Sequence, residues 1–162
     1  MTENQGPLEN LPLPPGQLAG AIAGILASRW LEVPLPGPRR LQRVTGFGLM
    51  AVGSAVNIWA LAERRRSEAG AFELERPTTL VTTGPYAVSR NPMYVGWWLI
   101  HLGSGVARGS AWVLLTVPAA VLAEHPGVTS EERTLEGLFP AEWADYSRRV
   151  ARYFGRQPWG CC

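Results

Sequence analysis

A chain of 162 residues has room for one domain and not two. Hydrophobic residues reach 46% and charged residues only 17%, fewer than a soluble domain carries, and a net charge of +2, borne by Arg with no Lys, is too small and too scattered for a nucleic-acid partner. Cys161 and Cys162, the only cysteines, are adjacent and build neither a disulfide framework nor a metal site, so no metal is expected; the pair reads as an inert tail or a lipidated end. Met1-Thr2-Glu3-Asn4 lacks the basic start of a cleaved signal peptide.

Residues 1–16 are polar and Pro-rich and are expected to be disordered or to lie along a surface, leaving residues 17–162 as a single membrane domain. Residues 17–31 form an apolar Ala/Gly/Ile/Leu segment, closed by Val33-Pro34-Leu35-Pro36-Gly37-Pro38. It is short for a spanning helix, which needs roughly 20 residues. A second apolar segment covers 41–62, where Gly46, Gly48, Gly53 and Ser54 would let neighbouring helices approach, and Glu63-Arg64-Arg65-Arg66 stops it at the interface. Residues 63–91 are polar and turn-rich, and 80–85 read as a short extended piece followed by a turn. Residues 92–106 and 110–123 then predict two apolar helices joined near Arg108-Gly109, the second kinked at Pro118. From 125 the chain is polar again, and Leu135, Leu138, Phe139, Trp143 and Tyr146 recur at the spacing of a helix lying on the bundle or the membrane surface. The expected fold is all-α: a polytopic integral membrane helical bundle of about four spanning helices, with a cytoplasmic C-terminal helical segment.

If 92–123 enters and leaves the bilayer as a hairpin, both polar blocks lie on one side. Arg64, Arg65, Arg66, Arg76 and Arg90, with Arg133, Arg148, Arg149, Arg152 and Arg156, outnumber Arg39, Arg40, Arg43 and Arg108 on the other. The positive-inside tendency puts the shared side in the cytoplasm, of an inner or plasma membrane.

The junction Gly84-Pro85-Tyr86-Ala87-Val88-Ser89-Arg90-Asn91-Pro92-Met93-Tyr94-Val95-Gly96 carries the chemistry. Asn91 suits an N-cap and Pro92 the first helical position, and the free amides of that start, with Arg90 beside them, make an anion site at the mouth of an apolar helix. On the same side the second block supplies His125, Glu131 and Glu132. No metal box, P-loop or nucleophile triad is present; an Arg, two carboxylates and aromatics can hold a zwitterion, with a sulfonium against an aromatic face. Each residue also has a plainer reading. Arg90 can be an interfacial anchor, Glu131 and Glu132 solvated helix-start acids, Tyr86 and Tyr94 belt aromatics, and His125 a surface cap. His101, inside an apolar helix, is a functional candidate or a neutral group bonded to a neighbouring helix. Trp97 and Trp98 read as lipid-facing or core residues.

Gly84-Pro85-Tyr86, Arg90-Asn91-Pro92-Met93-Tyr94 and Gly96, followed by Glu131-Glu132, Leu135, Phe139, Trp143, Tyr146, Val150 and Arg152, resemble the two ordered signatures of the isoprenylcysteine carboxyl methyltransferase and phospholipid methyltransferase superfamily, over roughly residues 41–156. The resemblance implies an integral membrane methyltransferase using S-adenosylmethionine (SAM), with cofactor-binding parts at 84–96 and 125–152. It implies that Gly84, Pro85, Tyr86, Arg90, Asn91, Pro92, Tyr94, Gly96, His125, Glu131 and Glu132 bind SAM, with Arg90, the Pro92 helix start and Glu131/Glu132 on its methionine and ribose parts. Arg90, Glu132 and His101 are the catalytic candidates. The partners implied are membrane lipids and a lipophilic small molecule or lipid entering from the bilayer. The reaction expected is carboxyl (O-) methylation, which needs no base; in the alternative, phospholipid N-methylation of a phosphatidylethanolamine-type amine, His101, His125 or Glu132 would take the proton. One departure, Ala87 where Arg is frequent, lies in the first block; Pro140 after Phe139, Trp143 for Tyr, Ala151 for Pro, Arg133 for Pro and Gly127 for Arg lie in the second. The remaining alternatives are a non-catalytic scaffold derived from the family and a plain membrane interaction protein with no SAM site.

Overall fold

The structure, a computed structural model, describes residues 15–67 and 78–154. The expectations for residues 1–14, for Arg76 and Arg156 and for Cys161-Cys162 lie outside the described residues. The elements are α1 (Pro15–Trp30), α2 (Arg39–Ser67), a 3-10 turn at Gly84–Ala87, α3 (Pro92–Arg108), α4 (Ala111–Leu138) and α5 (Pro140–Arg149).

Small residues bring the helices together. Gly46 and Gly53 lie two turns apart on α2, as do Gly96 and Gly103 on α3, and the antiparallel helices meet along these rows. A Cβ on Gly53 would collide with the Gly96 carbonyl, and one on Gly103 would sit 2.6 Å from the Gly46 carbonyl oxygen. Of the four small residues expected to serve packing, Gly46 and Gly53 do. Gly48 has nothing within 4 Å of its would-be Cβ and Ser54 is exposed, because both lie off the face that meets α3. A second small-residue row, Gly16, Gly20 and Gly24 on α1, packs antiparallel on α4: a Cβ on Gly24 would stand 2.7 Å from the Val113 Cα, and one on Gly20 3.3 Å from the Ala120 Cβ.

Large apolar side chains point outward instead: Leu18, Ile22 and Leu26 on α1, Val44, Phe47, Val52 and Ile58 on α2, and Leu115 and Leu122 on α4. Small residues inside and large apolar residues outside suit a lipid surround. α2 and α4 are long and apolar enough to cross a membrane, while α1 (16 residues) and α3 (17 residues) run antiparallel beside α4 and α2. The protein is an all-α membrane bundle.

The end opposite Pro92 is tied by backbone. Leu35 N–H donates to the Gly109 carbonyl (2.8 Å) and Ala111 N–H to that of Val33 (3.0 Å). Gly109, at φ +65°, ends α3 in a left-handed conformation that suits glycine. The Gln42 amide donates to the Leu35 carbonyl at 2.9 Å, and Arg39 donates to that of Arg108 at 2.6 Å.

Three boundaries differ from expectation. α1 starts at Pro15, so residues 15 and 16 are helical and not part of a loose leader. The second segment runs from Arg39 to Ser67, through the Arg run expected to stop it. The fourth does not end near residue 123: α4 continues past both Pro118 and Pro126 to Leu138. Buried Glu124, Val128 and Glu132, one turn apart, hold one continuous face against the rest of the protein, and this contact outweighs a missing amide. The single residue Phe139 separates α4 from α5, and Pro140 sets the first turn of α5.

Candidate functional site

Glu132 is the hub of the first polar cluster. Its carboxylate is buried on α4 and takes donors from three directions. Arg152, just after α5, reaches Oε2 through both Nε and Nη2 at 2.9 Å. The Asn91 amide donates to Oε1 at 2.9 Å. Arg90 Nη2 donates to Oε2 at 3.3 Å, and Arg90 Nε lies 3.2 Å from Oε1 but is not aligned for a hydrogen bond, which leaves a buried N–H without an acceptor among the described residues. The Arg90 guanidinium also lies over the Trp143 ring, 5.3 Å from its centroid. Hydrogen bonding to Glu132 holds the Arg152 guanidinium above its ordinary pKa.

Backbone places these groups. The Arg90 N–H donates to the Ala151 carbonyl (3.0 Å), and the Arg152 carbonyl accepts from Ser89 Oγ (3.3 Å) and from the Asn91 amide (3.2 Å), so residues 151–152 run alongside 89–91. Asn91 stands at the N-cap of α3 but makes no side-chain cap, since its amide is drawn to Glu132 and Arg152. The two halves expected to grip opposite ends of a ligand are therefore bonded to each other.

The remaining candidates divide. Tyr86 is buried with Ala60 and Met93, and its carbonyl accepts from the Tyr146 hydroxyl at 2.8 Å. Gly84, at φ +59°, and Pro85 shape the 3-10 turn, and Thr83 Oγ1 donates to Glu63 there at 2.5 Å. Pro92 opens α3 as expected. Tyr94 is half-buried on the face that carries Trp98 one turn on. Gly96 is turned to α2, where a Cβ would collide with Asn57 Oδ1, so its smallness serves packing. Glu131 separates from Glu132: its side chain is 44% exposed and lies 3.8 Å from Arg64. His125 is hydrogen-bonded through Nδ1 to the Tyr153 hydroxyl at 2.8 Å.

His101 joins a different network, deeper along the bundle. Its ring nitrogens are bonded to Gln17 Oε1 (2.7 Å) and Thr116 Oγ1 (3.1 Å). Gln17 also donates its backbone N–H and its side-chain amide to the two oxygens of Glu124, each at 2.9 Å, and the Trp98 indole N–H reaches Glu124 Oε2 at 3.4 Å. His101 thus fits the plainer reading of a helix-to-helix link, about 14 Å along α3 from Pro92. Gln17, Glu124, Trp98, Tyr153 and the role of Arg152 were missed. An acid within an apolar helix was the available signal for Glu124; Gln17 offered none.

Burial, offset by Arg64 beside it, pushes the Tyr86 hydroxyl up to about 12 from 10.0. The folded protein then holds this proton more tightly than the unfolded chain. Its contribution to stability is full below pH about 10 and is lost as pH rises toward 12. Thermal melting in detergent should show an alkaline fall over that window, shallower in Tyr86→Phe.

An all-α membrane bundle with a buried Arg–carboxylate hub at one helix mouth defines a membrane protein with a polar site at the end of its apolar body. The phospholipid methyltransferase family matches residues 41–142, from α2 into α5, and the chain belongs to that family, within the isoprenylcysteine/phospholipid methyltransferase membrane superfamily. Among curated relatives, the cobalt-zinc-cadmium resistance protein CzcN of Cupriavidus metallidurans is 40% identical over 79 residues, which are 48% of this chain and 36% of that protein. The nickel-cobalt-cadmium resistance protein NccN of Alcaligenes xylosoxydans xylosoxydans is 37% identical over 82 residues, 50% of this chain and 38% of that protein. The matched stretch is little more than a third of either relative's length.

Proposed function

We propose that this protein is a SAM-dependent methyltransferase acting on a lipophilic acceptor that enters from the bilayer, with its cofactor site facing the cytoplasm. The observation that carries this reading is the Glu132 hub. Two guanidinia around one carboxylate leave a net positive charge, and Arg90 Nε is buried without an aligned acceptor. An amino-acid carboxylate fits that N–H and the α3 start. SAM supplies an electrophilic methyl group on a sulfonium. The chain's own work is to hold the carboxylate end through Arg90 and Arg152, to align the acceptor and to exclude water.

A carboxylate acceptor is the first reading, because it needs no base and Glu132, already shared by three donors, is a poor one. Membership of the phospholipid methyltransferase family favours the second, a phosphatidylethanolamine-type amine. The relatives' names describe metal resistance and not catalysis, which keeps a non-catalytic scaffold as the outcome to test against.

Purified protein in lipid nanodiscs should bind labelled SAM saturably and transfer label to one of two acceptors offered together, a prenylated thio-carboxylate or phosphatidylethanolamine. Base-labile label marks an ester, and label in the headgroup marks the amine. Absence of saturable binding, with Arg90→Ala indistinguishable from the parent, rejects the enzyme.

A further inference from the structure

Glu124 does not belong to the Glu132 hub. It lies eight residues earlier on α4, about 12 Å further toward the apolar body of the bundle. Its side chain is buried, and the hydrogen bonds that hold it come from neutral donors: the Gln17 backbone N–H, the Gln17 amide and the Trp98 indole N–H. An acidic side chain buried among neutral donors within a membrane helix is costly to place there, and such groups characteristically mark a site. It is also rigidly placed. Gln17 clamps both carboxylate oxygens and is itself fixed by His101, which is bonded in turn to Thr116.

Aromatic rings gather on the same spot. Tyr153 lies against Trp98 with ring centroids 4.7 Å apart and planes inclined by 57°, and Phe154 follows at 6.3 Å and 54°. The rings are inclined to one another and not stacked, and the Trp98 indole turns its N–H edge to Glu124. The Tyr153 hydroxyl is fastened to His125, and its segment is fastened by the bond between Arg90 N–H and the Ala151 carbonyl. Gln17 and Tyr153 both lie outside residues 41–142, so the clamp and one wall come from the flanks of the family region.

We propose that Glu124, with the rings of Trp98 and Tyr153, forms a binding site for an onium cation, the sulfonium of the methyl donor or an ammonium carried by the acceptor. Electron-rich ring faces and a buried carboxylate share one preference, for a soft, weakly hydrated cation over an isosteric neutral group. This inference rests on reading the Glu132 hub as the cosubstrate site, because the hub supplies the anchor from which the onium group reaches inward.

The test compares charged and neutral ligands of matched shape, using the full chain in nanodiscs. One pair is SAM and S-adenosylhomocysteine; the other is dodecyltrimethylammonium and dodecanol. If the site holds the sulfonium, Glu124→Gln and Tyr153→Leu each lower the SAM-to-S-adenosylhomocysteine affinity ratio roughly tenfold, with the S-adenosylhomocysteine affinity unchanged. If it holds an acceptor ammonium, that ratio stays and the dodecyltrimethylammonium-to-dodecanol ratio falls instead. Neither ratio moving, in variants that melt within a few degrees of the parent, overturns the proposal. Should Glu124→Gln not fold, Tyr153→Leu, on the flank beyond α5, decides alone. Failure of S-adenosylhomocysteine to bind even the parent would instead reject the cosubstrate reading, and the dodecyltrimethylammonium arm would still judge the onium site.

Discussion

Glu132→Ala will melt far below the parent and bind no SAM. Removing this one side chain strands the Arg90 guanidinium, whose side chain is 9% exposed, with no carboxylate opposite it. Breaking a buried pair from one side costs about 3 kcal/mol or more, because the surviving charge stays desolvated. Asn91 loses its acceptor in the same step. The partners are unequal: Arg152 is 37% exposed, so Arg152→Ala should cost about 1 kcal/mol, water replacing what it loses. Glu132→Gln keeps an oxygen for Asn91 and so should fall between the two in stability while still losing SAM binding. Detergent melting curves and equilibrium binding on the three variants establish the order. Equal melting of Glu132→Ala and the parent would mean that the hub stabilises nothing.

Gly53→Leu is the second large effect expected, and it concerns the scaffold and not the chemistry. Its Cβ would fall on the Gly96 backbone carbonyl, which has no rotamer with which to yield, and the rest of the side chain would meet Leu99 and Ile100. Overpacking of this kind costs about 1–3 kcal/mol where side chains can adjust and more where backbone must. α3 would be pushed off α2, carrying Arg90 and Asn91 with it, so SAM binding should disappear together with the cooperative melt. Gly48→Leu is the matched control, five residues earlier on the same helix with open space at its Cβ, and should behave as the parent. Equal damage from both would show that a bulky side chain anywhere on this stretch of α2 is harmful and that the α2–α3 contact is not what decides, since helix propensity alone favours Leu over Gly.

The reading from sequence reached the helical class, the two polar blocks on one side, and the meeting of Arg90, Asn91 and Glu132. These follow from local features: apolar runs, an Asn-Pro start and charged residues at fixed places. It failed where a decision is made between distant segments. Asn91 has the chemistry of a cap, and only the arrival of α4 and residue 152 gives its amide a better partner. Pro126 reads as a break, and only the packing of Glu124, Val128 and Glu132 shows why α4 runs through it. Gln17 and Glu124 are 107 positions apart, and no periodicity links them. A glycine that lets a ligand close and one that lets a helix close look the same in a string of letters, and at Gly96 it is α2 that comes close.

The ties at the loop end have a mechanical meaning. Residues 33–35 are stitched to 109–111 through backbone, with Arg39 and Gln42 pinning α2 to the same corner. That corner is a fulcrum, and the four long helices are levers that share it. If the helices rock about it, the displacement is smallest at the corner and largest at the far end, where Arg90 and Glu132 stand. On such levers a small rocking at the corner would become a wide opening at the opposite membrane face.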